Sequence, residues 1–233
     1  MMKSTLLLLV IGVFTLSGSS PARAQSVRGS FGFFQLGYFN APQSGAVAQT
    51  FAPDWFPHLN DHFIYSGAEG WLRRNRFMAG LSASALTARS VSVQQTRVER
   101  VTGMGQLKIS YVLFDNRRWL LYSAVGRGIS SSLITVHQNG SEPVIWMLPT
   151  HSTDLSLHMN RLLVSERSAE PTAVRGLWLG LRIGYVVSAK SAHWQQIPEG
   201  QPTQFKPEYA LNGLYFTLTI GGGGFQYSPS SRQ

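Results

Sequence analysis

The stretch Leu214-Tyr215-Phe216-Thr217-Leu218-Thr219-Ile220-Gly221 decides the fold, because a large aliphatic or aromatic side chain occupies every second position from Leu214 to Ile220. Successive side chains of a β-strand point to opposite faces, so the stretch has one apolar face and one that is more polar or small. A helix would require apolar spacings of three and four residues, which this stretch does not keep. It therefore predicts a β-strand.

The same alternation recurs along the chain. It is clearest at 177–187, 107–113 and 155–159, where leucine and isoleucine alternate with polar residues or glycine. In all, the pattern predicts eight strands, at roughly 29–39, 61–73, 76–89, 101–114, 118–136, 152–165, 174–188 and 211–226.

The predicted connections differ in length in a regular order. Three are short, at 73–76, 115–117 and 166–172, and four are longer, at 40–60, 90–100, 138–151 and 189–210. Short turns on one side and long loops on the other are typical of up-and-down barrels that cross an outer membrane. The order predicts an all-β fold, an up-and-down antiparallel barrel that forms a single domain over residues 25–233.

The first 24 residues are expected to be a signal peptide. Lys3 gives a positive start, residues 6–14 are mostly apolar, and Ala22-Arg23-Ala24 has the small-x-small pattern of a cleavage site. The apolar run is shorter than the roughly 20 residues of a membrane-spanning helix. We therefore expect an exported protein that is released after cleavage.

Composition narrows the range of partners. The chain has 20 basic and 11 acidic residues, a formal charge of +9, and no cysteine. In an exported protein this excess suits anionic lipid or polysaccharide better than nucleic acid, so no nucleic-acid partner is expected. The lack of cysteine excludes thiol catalysis and iron–sulfur sites, and we expect neither a cofactor nor a metal. Five basic side chains lie at the short turns and either contact anionic headgroups or prevent edge-to-edge strand pairing: Arg73, Arg74, Arg76, Arg117 and Arg118.

An export signal, eight alternating strands with cores of about 9–11 residues and connections of alternating length together resemble the small eight-stranded bacterial outer-membrane β-barrels. The resemblance covers nearly the whole mature chain and rests on pattern, not on a signature motif. It implies that the protein lies in the outer membrane, among its lipids, and is inserted by the barrel-assembly machinery.

The interior of such a barrel is just wide enough to be filled by side chains. If the apolar faces meet lipid, six titratable residues face inward: Glu69, Lys108, Arg127, Asp154, His158 and Arg182. Buried charges of both signs must pair, since an isolated buried charge is very costly. We therefore predict a network of paired charges that plugs the lumen; the alternative is a gated or ligand-binding lumen.

Asp154, Ser156 and His158 have the residue types of a hydrolase triad. Residues two apart on a strand are separated by about 7 Å, whereas a nucleophile and its base must approach to about 3 Å. No catalytic residue is therefore expected.

These observations favour a non-enzymatic outer-membrane barrel with a structural or surface-interaction role. Contacts with a surface ligand are expected from the long loops, where Trp55, Trp146 and Trp194 lie. Two alternatives remain: a soluble periplasmic barrel that encloses an apolar ligand, and an outer-membrane lipid-modifying enzyme.

Overall fold

A computed structural model describes residues 26–54, 56–165, 172–197 and 207–228. The predicted signal peptide and Trp55 lie outside these residues. No helix among them is long and apolar enough to cross a bilayer. The described elements are β1 (Ser26–Asn40), α1 (Ser44–Gln49), β2 (His62–Arg74), β3 (Phe77–Thr87), β4 (Val91–Val93), β5 (Thr96–Asp115), β6 (Trp119–Gln138), β7 (Val144–Ser165), β8 (Ala173–Ser188), β9 (Gln195–Ile197) and β10 (Gly213–Ser228).

Eight of the strands form a closed antiparallel barrel. Their order around the wall is β3-β2-β1-β10-β8-β7-β6-β5, and pairing of β3 with β5 closes the ring. The two short strands lie outside this ring, β4 against β5 and β9 against β7. The predicted fold is confirmed, and each predicted strand corresponds to one strand of the barrel.

The two short turns within the described residues have the chemistry that tight reversals require. Asn75, between β2 and β3, has a φ of 58°, a left-handed conformation that asparagine adopts more readily than most residues. Between β5 and β6, the Asn116 side chain accepts a hydrogen bond from the backbone N–H of Trp119 at 2.7 Å. Such side-chain contacts with nearby backbone stabilise a turn locally.

Three strands continue far beyond the others at the long-loop side. β5 and β6 have 20 residues each and β7 has 22, whereas about 9–11 residues are enough to cross a bilayer. The predicted loops at 90–100 and 138–151 are therefore largely strand, which corrects the sequence-based boundaries. Pairing of β4 and β9 with the outer parts of β5 and β7 extends the sheet there. We call residues 96–100 of β5, 129–138 of β6 and 144–151 of β7 the projecting sheet, because they extend beyond the pairing of β5 with β3 and of β7 with β8.

The outward face of the barrel is mostly aliphatic, with several aromatic side chains among the aliphatic ones. Leu107 and Ile109 are each 69% exposed, and leucine, isoleucine and phenylalanine side chains occupy equivalent outward positions on the neighbouring strands. Inside, two apolar clusters fill the two ends of the barrel. We call the end with the long loops the outer end and the end with the short turns the inner end. The outer cluster includes Phe39, Tyr65, Leu86, Trp146, Leu148 and Leu211, and the inner cluster includes Phe31, Trp71, Tyr122, Trp178 and Phe225.

Candidate functional site

Between the two apolar clusters lies a layer of charged side chains. Five of the six residues predicted to face inward meet here, and each is at most 4% exposed. We call them the charged layer: Glu69 on β2, Lys108 on β5, Asp154 and His158 on β7, and Arg182 on β8. Strand alternation directs each of them inward, and closure of the barrel brings together residues far apart in sequence.

The charged layer is balanced, with two carboxyl side chains and two basic side chains besides His158. Asp154 Oδ2 lies 2.5 Å from Arg182 Nη2 and 2.9 Å from Lys108 Nζ. Glu69 Oε2 lies farther from the same cations, at 3.4 Å from Arg182 Nη1 and 3.7 Å from Lys108 Nζ. Each charge thus has two partners of opposite sign, which offsets the high cost of burying it.

Neutral side chains complete the arrangement. The Tyr215 hydroxyl donates to Asp154 Oδ1 at 2.6 Å, and Arg182 Nη1 donates to Gln35 Oε1 at 2.7 Å. The Arg182 guanidinium also lies 4.6 Å from the centroid of the Tyr215 ring. Asp154 therefore accepts contacts from three strands besides its own, and Arg182 contacts four, so these two residues hold the charged layer together.

Ser156 and His158 approach each other more closely than their spacing on β7 suggests. Ser156 Oγ lies 3.0 Å from His158 Nε2, and His158 Nδ1 lies 3.5 Å from Glu69 Oε1. The expectation that spacing alone keeps these side chains apart is wrong, because side chains on the inner face can lean along the strand. Ser156, His158 and Glu69 thus follow one another as the nucleophile, the base and the orienting carboxylate do in a hydrolase triad. The His158 ring is stacked on Tyr122 and is 1% exposed.

Arg127 is the exception among the predicted inward residues. It lies on the outside of β6, paired in register with Leu107 on one side and Thr153 on the other. The prediction for Arg127 requires the apolar face of β6 to meet lipid, but Leu120 and Tyr122 on that face pack into the inner cluster. Arg127 therefore does not belong to the charged layer.

The two described tryptophans of the predicted contact set are buried. Trp146 lies on β7, and Trp194 packs at 4.8 Å against the ring of Phe51 and donates its Nε1–H to the carbonyl of Pro207 at 2.9 Å. Both belong to the outer cluster, so neither presents its ring to a surface ligand. Trp55 lies outside the described residues.

The outer mouth of the barrel is covered by the described residues between β1 and β2, 41–54 and 56–61, which we call the cap. Arg100 of β5 donates to Asn60 Oδ1 at 3.1 Å and to Ser44 Oγ at 3.3 Å. Its guanidinium lies 5.2 Å from the centroid of the Phe63 ring. Burial raises the pKa of the neighbouring Tyr209 phenol, which keeps that group neutral. Sequence reasoning did not identify Arg100, although it shares the inward parity of Val98 and Thr102.

The inner mouth has its own ion pair. Arg73 Nη1 lies 2.7 Å from Asp115 Oδ2, and the Tyr227 hydroxyl donates to the same carboxylate at 3.0 Å. Arg73 is thus turned inward, unlike the other predicted headgroup contacts. Those four side chains are exposed at the short turns: Arg74, Arg76, Arg117 and Arg118.

No protein-family model and no curated relative matches the chain. Solved structures resemble it at low identity. Ail, the attachment invasion locus protein of Yersinia pestis, in complex with the heparin analogue sucrose octasulfate, is 8% identical over 86% of this chain and 98% of its own, with a TM-score of 0.42. Neisserial surface protein A is 9% identical over 85% of this chain and 96% of its own, with a TM-score of 0.35. The outer-membrane protease OmpT from Escherichia coli is 8% identical over 91% of this chain and 99% of its own, with a TM-score of 0.32.

Proposed function

We propose that this protein is a non-enzymatic outer-membrane barrel whose projecting sheet makes contacts at the cell surface. The single observation that carries the proposal is the combination of an aliphatic exterior with an interior filled by packed side chains. Such a barrel is a rigid mount for whatever extends beyond the membrane, and here that is the projecting sheet.

The aliphatic exterior supports placement in lipid. Large apolar side chains that are about 40–70% exposed occupy the outward positions of all eight barrel strands, including Phe34, Leu72, Leu107, Ile129 and Leu218. Soluble proteins rarely expose continuous apolar surface on this scale. In a bilayer the same surface is favourable, and ring closure leaves no unpaired strand edge in the hydrocarbon.

The interior argues against a soluble binder of an apolar ligand. Among the described residues, one cavity under the cap, lined by Phe63, Arg100 and Trp194 among others, has a volume of about 20 Å³. Pockets for small organic ligands measure roughly 300–1,000 Å³. A cavity this small holds about one water molecule.

The same packing supports the proposal that the lumen is plugged. An ion would have to pass both apolar clusters and the charged layer, where each cation already lies near two carboxylates. We expect no stable conductance from the purified protein in planar bilayers. A steady open channel that changes its ion selectivity in Lys108→Met would contradict a plugged lumen.

An enzyme is the second candidate, and the geometry of Ser156 and His158 is the observation in its favour. Against it stands their burial between the two apolar clusters, which leaves no described path for a substrate. A fluorophosphonate probe distinguishes the two. We expect no labelling of the folded protein, whereas labelling that disappears in Ser156→Ala would support the enzyme.

Surface display can be tested cleanly because the chain has no cysteine. Ser141→Cys places a thiol between β6 and β7 at the tip of the projecting sheet, and Arg118→Cys places one at an exposed short turn. A membrane-impermeant maleimide added to intact cells should label the first variant and not the second. Arg118→Cys should react only after the outer membrane is permeabilised; the opposite pattern would overturn the proposed orientation.

A further inference from the structure

A groove on the outside of the barrel has features that the proposed surface role does not use. It consists of two adjoining cavities of about 880 Å³ and 670 Å³ that share Ser30, Gly222 and Gly223 in their linings. The larger lies over β1, β8 and β10 toward the short-turn side, and the smaller continues across β2 and β3. The far end is bordered by aliphatic side chains, namely Leu72, Leu81 and Leu107.

The short-turn end of the groove is cationic. Arg28 and Arg175 both line the larger cavity, and the side chain of Arg175 lies over Gly224. Within the described part of the chain, neither arginine side chain has an ion pair or hydrogen bond. Two unpaired guanidinium groups at the edge of an apolar groove provide charge and bidentate donors suited to a phosphate.

The floor of the groove is backbone. Gly70 has no heavy atom within 4 Å of the position a Cβ would take, and for Gly32 and Gly222 the nearest atoms are at 3.5 Å and 3.9 Å. None of the three has a positive φ in the left-handed range. Neither packing nor backbone conformation therefore requires glycine at these positions, although glycine inside a strand costs roughly 0.5–1 kcal/mol.

Neighbouring glycines show the contrast. A Cβ at Gly80 would meet the backbone carbonyl of Gly70 at 2.6 Å and the Trp71 ring at the same distance, and Gly223 has a φ of 150°. Those two glycines are required by the fold. The three open glycines instead keep a channel clear along the lipid-facing wall.

We propose that this groove binds one anionic glycerophospholipid of the inner leaflet. Its phosphate lies between Arg28 and Arg175, and one acyl chain extends over Gly222, Gly32 and Gly70 toward the aliphatic border. The strand ladder already pairs the backbone groups of the floor, so a polymethylene chain meets no unsatisfied donor there. The cationic end lies at the short-turn side, where the headgroups of that leaflet are located under the proposed orientation.

This proposal rests on the membrane placement proposed above, and the test separates the two. The purified barrel in detergent is titrated with dioleoyl phosphatidylglycerol or dioleoyl phosphatidylcholine, and bound lipid is counted by native mass spectrometry. Altered electrophoretic mobility without boiling establishes, for each variant, that the barrel is folded.

One phosphatidylglycerol should remain bound per barrel, in preference to phosphatidylcholine. The double variant Arg28→Gln/Arg175→Gln should weaken binding about twentyfold, since each basic residue near a membrane surface contributes roughly fivefold to anionic lipid binding. Gly222→Leu should also weaken it by filling the groove. Two variants are the matched controls. Gly103→Leu changes another open, outward glycine that lies away from the groove, and Arg118→Gln changes an exposed arginine that does not line it. Both variants should bind phosphatidylglycerol as the unchanged protein does.

Three results would overturn the proposal while leaving the membrane placement intact. Equal retention of the two lipids would mean unspecific contact with the barrel wall. Equal losses in Gly222→Leu and Gly103→Leu would mean that the groove has no special part. Displacement of the lipid by millimolar glycerol 3-phosphate would mean that only the headgroup is recognised.

Discussion

Replacing Asp154 with asparagine removes one of the two carboxylates from the charged layer while leaving its shape nearly unchanged. Arg182 at 2.5 Å and Lys108 at 2.9 Å both lose their nearest charged partner. Two buried cations then share Glu69 alone, which lies 3.4 Å and 3.7 Å from them. Removing one partner of a buried ion pair typically costs about 3–5 kcal/mol, so we expect Asp154→Asn to lower the free energy of unfolding by about that amount.

The assay is equilibrium unfolding in urea with the protein in lipid vesicles, followed by tryptophan fluorescence and checked by electrophoretic mobility. Glu99→Gln is the control, because it breaks the Arg97–Glu99 pair of 2.5 Å on the exposed face of β5. Exposed ion pairs are worth about 0–1 kcal/mol, so this variant should lie close to the unchanged protein.

A second substitution tests the cause of the loss. In Asp154→Asn/Lys108→Met the layer again has one carboxylate and one permanent cation, and most of the lost stability should return. The reasoning would be refuted if Asp154→Asn cost no more than Glu99→Gln, or if the two substitutions in the layer simply added their losses.

Three further outcomes are expected. Arg100→Gln should raise amide hydrogen exchange in the cap at least tenfold, because it removes charged hydrogen bonds worth about 1.5–3 kcal/mol each; unchanged exchange would show that the cap is held otherwise. Gly128→Ala should destabilise the barrel in urea, since a Cβ there would collide with the Gly105 carbonyl, whereas Gly103→Ala meets open space and should not; equal midpoints would contradict this. Asp115→Asn should destabilise the inner mouth by unpairing buried Arg73, as measured by unfolding in urea, and a loss no larger than that of Glu99→Gln would count against it.

The strand positions were predictable because the period of two is a local signal that each segment carries by itself. Tyr215 and Thr217, for example, face inward as the alternation predicts. The alternation also located five members of the charged layer, because inward parity on one strand does not depend on knowing the neighbouring strand.

The remaining features depend on which strands become neighbours. The sequence pattern of β6 predicts Arg127 inward if Leu120 and Tyr122 face lipid, but those two residues pack into the inner cluster. At the level of Arg127 the inward residues of β6 are Gly126 and Gly128, which pair with Lys108 and Gln106. Ser156 and His158 meet because of side-chain direction, which backbone spacing does not give. The burial of Trp146 and Trp194 depends on the extension of β7 by pairing and on the cap, neither of which has a local pattern.

Membrane fractionation, followed by electrophoresis of boiled and unboiled samples, tests the central claim most directly. A closed barrel with lipid on its aliphatic exterior predicts recovery in the outer membrane and a different mobility before and after boiling. Recovery in the soluble periplasmic fraction, with no heat-dependent shift, would contradict it.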